Sequence, residues 1–338
     1  MYKMFHCLVA VSSFIGNKAD RSGGGMDAES LQILNIYNVR FINNTGADIN
    51  FGYGGEIQVL QVTNFTVTAS SFLSNKAGLG GAGIYAKSGE IIHLYRVSFI
   101  NNTLPKSRIF FTKRYFYKGE GGGILVKHFT SCSVVQSLFG GNKGGFGGAL
   151  CAPDGAVVNV SMAIFSNNVA RFGGGIYVNQ LTHCSVTHSC FIRNKVTVTG
   201  AGIYAKNFKQ TKDVYSVGCN VYRVTFVNNS AGYGTGIGLS IIFDSLVAQS
   251  YFAGNKGRYS GAGIKAKFDG GSVIVYSVTF INNSVKQKSE GYGGAFYAEM
   301  LTKFYIVNSS FIWNHGKHGG AISAHVKVVT IKKCTFIN

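Results

Sequence analysis

Apolar and polar residues alternate along this chain in short bursts. Ile84 and Ala86, then Ile92 and Leu94, then Phe99 are apolar or small, and Tyr85, His93 and Ser98 stand between or beside them. Period two is the mark of a strand with one buried face, so each burst predicts a short strand, with bends between strands and no helix.

The same order returns along the whole chain. A phenylalanine followed three residues later by asparagine occurs at Phe14 and Asn17, Phe41 and Asn44, Phe72 and Asn75, Phe99 and Asn102, Phe139 and Asn142, and Phe165 and Asn168. It continues at Phe191 and Asn194, Phe226 and Asn229, Phe252 and Asn255, Phe280 and Asn283, and Phe311 and Asn314, and Phe336 opens a further copy. Each unit also has a run of three mostly tiny residues closing on an apolar one, as in GAGI at Ile84, GGGI at Ile124 and GGAI at Ile322. From that apolar residue to the next phenylalanine is usually 15 residues, as in 84 to 99, 124 to 139 and 296 to 311. Length varies mainly between the asparagine and the glycines, most of all in an insertion at 103–120, with a lesser insertion after one glycine run around 206–217. A constant segment alternating with a tolerant one predicts regular structure with loops at one corner.

A unit of roughly 25 to 30 residues with about three short strands predicts one turn of an all-β parallel β-helix. In such a coil Phe stacks on Phe down the interior, Asn side chains ladder along the axis, and tiny residues permit tight turns or close backbone approach. About eleven to twelve coils at about 4.8 Å each give a rod on the order of 50 Å, and one domain accounts for residues 1–338. The turns also alternate between S-x-F-x-x-N-K, as at Ser70, and V-x-F-x-N-N-[ST], as at Val97.

Charge adds a candidate chemistry. Thirty-two Lys and Arg against 13 Asp and Glu leave a formal net charge of +19, which suits an anionic partner or, alternatively, a solubilising coat. The outward positions after the glycine run carry Tyr85, Lys87, Lys127, Tyr177, Tyr204, Lys206, Lys265, Lys267 and Tyr297. The insertion adds Lys113 and Arg114 among aromatic rings. Tyr beside Lys suits sugar or phosphate; the same composition is also ordinary for an exposed strand.

Four N-x-[ST] sequons, at Asn43, Asn101, Asn228 and Asn282, precede a ladder asparagine where alternation points outward, which makes them candidate glycosylation sites. Cys7, Cys132, Cys184 and Cys219 fall in an otherwise apolar column and read as small core residues. Cys184 and Cys219 occupy adjacent turns within reach of one another, with free thiols expected. No run of 18 apolar residues predicts a transmembrane helix. The chain begins and ends inside a turn, which suggests a fragment of a longer protein.

Glycoside hydrolysis needs two carboxylates flanking the bond. The acids here stand singly apart from Asp27 with Glu29, so no enzyme is expected. His315 and His318 read as surface residues, and no metal, cofactor or specific nucleic acid is predicted.

The joint pattern of F-x-x-N followed by G-G-[AG]-[ILV], as in Phe72, Asn75, Gly80 and Ile84 or Phe311, Asn314, Gly319 and Ile322, resembles the repeats of the chlamydial polymorphic outer membrane proteins. The resemblance covers the chain from Phe14 to Phe336. It implies a right-handed parallel β-helix of pectate-lyase-like architecture, displayed outside the cell, at the outer membrane in a bacterium, and used for adhesion. The expected role is therefore non-enzymatic recognition of an anionic glycan or a host or neighbouring cell surface. A polysaccharide-binding or polysaccharide-degrading fragment and a passive spacer are the alternatives.

Overall fold

A computed structural model describes residues 5–46, 52–108, 115–117, 119–206, 218–241, 244–267, 271–286 and 291–338. Among these the chain is all strand and turn, wound as a parallel β-solenoid of about eleven turns. Five-residue strands such as Ile91–Tyr95 stack into one twelve-stranded sheet, and three-residue strands such as Ser98–Ile100 into another. The four- and five-residue strands after the glycine runs, such as Ile84–Lys87, form an eleven-stranded sheet. Short strands after the ladder asparagine make an interrupted fourth face of three and five strands. Thr103 and Glu120, the bounds of the longest insertion, bridge to adjacent turns. Inside it Lys106–Arg108 pairs antiparallel with Tyr115–Tyr117.

Register is set by the phenylalanines. Phe72 pairs with Phe41 on one side and Phe99 on the other, and twelve rings from Phe14 to Phe336 stack with centroids 4.6 to 5.1 Å apart. Each such contact contributes about 0.5–1.5 kcal/mol beyond area burial. A slip by one residue would turn the whole column outward, so the stack allows one register.

The asparagines close the corner beside it. In the middle of the ladder the Asn168 backbone N–H and side-chain amide both donate to Asn194 Oδ1 at 3.0 Å, and the amide donates also to the Phe139 carbonyl at 3.0 Å. Asn168 Oδ1 in turn accepts from Asn142. Every polar atom of a fully buried side chain is thereby used, which is what permits a polar column in an apolar interior. The Ser and Val alternation has the same origin. Val39, Val97, Ala163, Val224 and Val278 donate their N–H to a serine hydroxyl one turn on, at Ser70, Ser137, Ser189, Ser250 and Ser309. Those hydroxyls donate to carbonyls two residues back.

The three small positions of the glycine run do different work. Gly81 has a φ of 58° at a reversal of the chain. A Cβ on Gly122 would stand 2.3 Å from the Gly148 carbonyl of the next turn, and one on Gly175 would stand 2.7 Å from the Phe191 ring and the Gly202 carbonyl. Gly175→Ala should therefore push the phenylalanine stack apart and cost about 1–3 kcal/mol in urea unfolding. An unchanged midpoint would contradict this packing.

The other corners turn through left-handed backbone at ordinary residues. The four candidate sequon asparagines sit there, exposed, with φ of 54° at Asn43, 57° at Asn101, 53° at Asn228 and 52° at Asn282. Asn tolerates this region better than most L-residues, so the corner geometry itself accounts for asparagine at these positions. Cys184 and Cys219 are register partners, both buried, with thiol sulfurs 3.4 Å apart as free cysteines.

Candidate functional site

The candidate face is the outside of the glycine-run sheet. Tyr85, Leu125, Cys151, Tyr177, Tyr204, Gly238, Lys265 and Tyr297 follow one another in register as one outer column. A second column just ahead of the glycine run holds Tyr53, Gly80, Glu120, Phe146 and Phe172. Because the glycine corner turns back sharply, the two columns face each other across a concave outer corner.

That corner corrects part of the sequence reading. Tyr85 is 6 % exposed and Tyr177 8 % exposed, and Leu125 and Cys151 between them are fully buried. Tyr53 stacks on Tyr85 at 4.6 Å, and Phe146 meets Tyr177 edge-on at 5.2 Å. Alternation along a strand predicts which side a residue leaves the sheet, and it is silent on what folds over it. Here the residue before the glycines covers the strand after them, forming a small second core. Burial pushes the Tyr85 and Tyr177 phenols and the Cys151 thiol up from their ordinary values. Tyr204 is half-buried, and Phe172 stacks on it at 5.6 Å.

The fourth residue of the same strands forms the lysine column. Lys87 pairs with Lys127, and Lys206 lies in register with Asn179 on one side and Ser240 on the other, followed by Lys267 and Glu299. Two of these cations are occupied. Lys127 bonds Glu120, and Lys267 Nζ lies 3.0 Å from Glu299 Oε1. Burial works against the Lys127 ammonium, but Glu120 more than offsets it and leaves its pKa raised. Asp154 accepts from the His128 backbone N–H at 2.6 Å. Among the described residues no carboxylate pairs with Lys87, which is exposed, or with Lys206, which is half-buried. Lys265 is half-buried, its Nζ 4.1 Å from the ring centre of Tyr233. Lys113 and Arg114 lie outside the described residues.

Sequence reasoning missed these acid partners for two reasons. Glu120 reaches Lys127 across the glycine corner, which no strand period predicts. Glu299 reaches Lys267 through register, and that signal was present, since Ala266 and Ala298 already align the two strands.

The glycine-run strand and phenylalanine strand of one turn decide the comparison with known proteins. Residues 277–299, which hold Phe280, Asn283 and the Gly293–Phe296 run, match the model of the Chlamydia polymorphic membrane protein repeat. Over those residues the chain is similar to this repeat. Over 201 residues, 52 % of the chain, it is 27 % identical to "Probable autotransporter YfaL" of Escherichia coli (strain K12), of which the match covers 16 %. Over 165 residues, 47 % of the chain, it is 27 % identical to the "Metabotropic glutamate receptor-like protein R" of Dictyostelium discoideum, of which it covers 9 %. The chain thus spans under a fifth of the length of either relative. No solved structure matches it. No helix among the described residues is long and apolar enough to cross a membrane.

Proposed function

We propose that this chain is the solenoid of a surface-exposed protein that recognises an anionic glycan or an anionic cell surface without altering it. The observation that carries the proposal is the pair of lysines, Lys87 and Lys206, left without carboxylate partners among the described residues on a column that register holds rigid. At about 4.8 Å per turn, Lys206 stands roughly 10 Å from Lys267 and roughly 19 Å from Lys87 along one line. Cations fixed in a row complement the repeated charge of a linear polyanion, and the net charge of +19 adds a long-range field of the same sign.

The repeat and the relative described as a probable autotransporter support a cell-surface or outer-membrane location. The non-enzymatic part of the reading is supported by how three acids of this face are committed, apart from Asp27 and Glu29 on its first strand. Glu120 and Glu299 hold lysines and Asp154 holds a backbone N–H, whereas paired acid and base catalysis needs two carboxylates poised on one bond.

The test is Lys87→Glu combined with Lys206→Glu. The double variant should bind an acidic polysaccharide about tenfold more weakly than the unaltered chain at low salt. Equal binding would remove this column from the site. Shortening of the bound polymer would instead favour a polysaccharide-degrading enzyme.

A further inference from the structure

Among the described residues, rings and cations meet densely beyond Tyr204, towards the later turns. Lys265 Nζ is 4.1 Å from the ring centre of Tyr233 and 5.5 Å from that of Tyr297. Tyr233 stacks on Tyr259 at 4.7 Å, with the Arg258 guanidinium 5.1 Å from the Tyr259 ring centre. On the other side Tyr297 leans on Tyr292 at 5.6 Å, and Tyr292 stacks with His318 at 4.8 Å. This arrangement differs from the buried cluster around Tyr85 and Tyr177, because Tyr292 is 36 % exposed and Tyr233, Tyr259, Lys265 and Tyr297 are half-buried.

Ser260 separates Tyr233 from Tyr292 in their column. It is 3 % exposed, and its hydroxyl has no hydrogen-bond partner. Natural proteins rarely leave a buried hydroxyl unused, and a small residue between two tyrosines leaves their rings about two turns apart, roughly 10 Å. Lys265 supplies a cation at the same place and, among the described residues, has no ion pair of its own, since the nearby Glu299 bonds Lys267.

We infer that Tyr233, Ser260, Lys265, Tyr292 and Tyr297 form a subsite for a pyranose ring that carries an acid group. The inference rests on the glycan-recognition reading and gives it a place and a ligand chemistry. The tyrosines offer apolar surface to the sugar ring and hydroxyls to its edge, and Lys265 meets the carboxylate or sulfate. Burial lowers the Lys265 pKa, Glu299 opposes that effect and Lys267 adds to it, so a bound anion would strengthen the ammonium.

The experiment is calorimetric titration of the whole chain with three sets of oligosaccharides: uronate, sulfated and neutral. The unaltered chain should bind at least one acidic set and not the neutral one, and the two acidic arms tell carboxylate from sulfate. Lys265→Met should weaken that binding about tenfold, and Tyr292→Leu, at an exposed ring, should weaken it without changing the melting temperature. Undiminished binding by both variants would overturn the subsite while leaving glycan recognition standing. No acidic binding by the unaltered chain would overturn both.

Discussion

Replacing Asn168 with leucine should lower the unfolding free energy by about 4 kcal/mol, at about 1–3 kcal/mol for each buried group left without a partner. Asn168 is fully buried midway along the ladder. Its loss leaves the Asn142 backbone N–H and amide without their shared acceptor, and takes the side-chain donor from both Asn194 Oδ1 and the Phe139 carbonyl, while the backbone N–H of residue 168 still reaches Asn194. Leucine brings similar volume and no hydrogen bonds, so packing does not rescue it. Neighbouring turns supply most contacts in a solenoid, and a fault in the middle should also loosen cooperativity between the two halves. Asn314→Leu, at a site 7 % exposed near the ladder end, should cost less. Denaturant titration of both variants checks the ordering, and equal small losses would show that the ladder is not what holds the corner.

Glu56→Gln should stabilise the chain, and by an amount that depends on pH. Glu56 occupies the third position of a glycine run, where other turns have Gly83, Gly123 or Ala149. Its residue is fully buried, and a Cβ on Gly25 of the preceding turn would collide with its carboxyl. Neither carboxyl oxygen has a hydrogen bond of ordinary geometry, although the nearby Asn44 amide favours the charged form. Burial outweighs Asn44 and pushes the pKa from 4.5 to about 8. The folded chain then keeps a proton that the unfolded chain releases between these values, so stability falls as pH rises through that window. At 1.36 kcal/mol per pH unit the full loss is about 5 kcal/mol above pH 8. Glutamine keeps the shape without the titration. The variant should match the parent below about pH 4.5 and exceed it increasingly up to pH 8. Parallel pH profiles of the two melting temperatures would contradict a buried neutral acid.

The fold was legible because its rule repeats. Phe99 and Asn102 would say little alone, but the same interval in every turn specifies a stack and a ladder, and both are present. The Ser and Val alternation was also visible, while the bond from the Val97 N–H to Ser137 Oγ depends on three-dimensional register. The site was less legible. Strand alternation placed Lys87 outward and failed at Tyr85, because a corner formed by Gly81 and the residues before it folds over that ring. Tyr233, Ser260 and Tyr292 fell outside the strand pattern altogether, in the stretch whose length varies between turns. Glu56 was visible as the acid in GGEI, in a column where every other turn is small or begins on glycine, and its position rather than its identity carried the signal.

The most direct measurement is binding of the unaltered chain to uronate and sulfated polysaccharides at low salt and at about 0.5 M salt, with the polymer sized before and after. Retention at low salt, weakened by salt and leaving the polymer intact, is the predicted result. Failure to retain any acidic polymer at low salt would contradict it and leave the positive charge as a solvated coat on a structural rod.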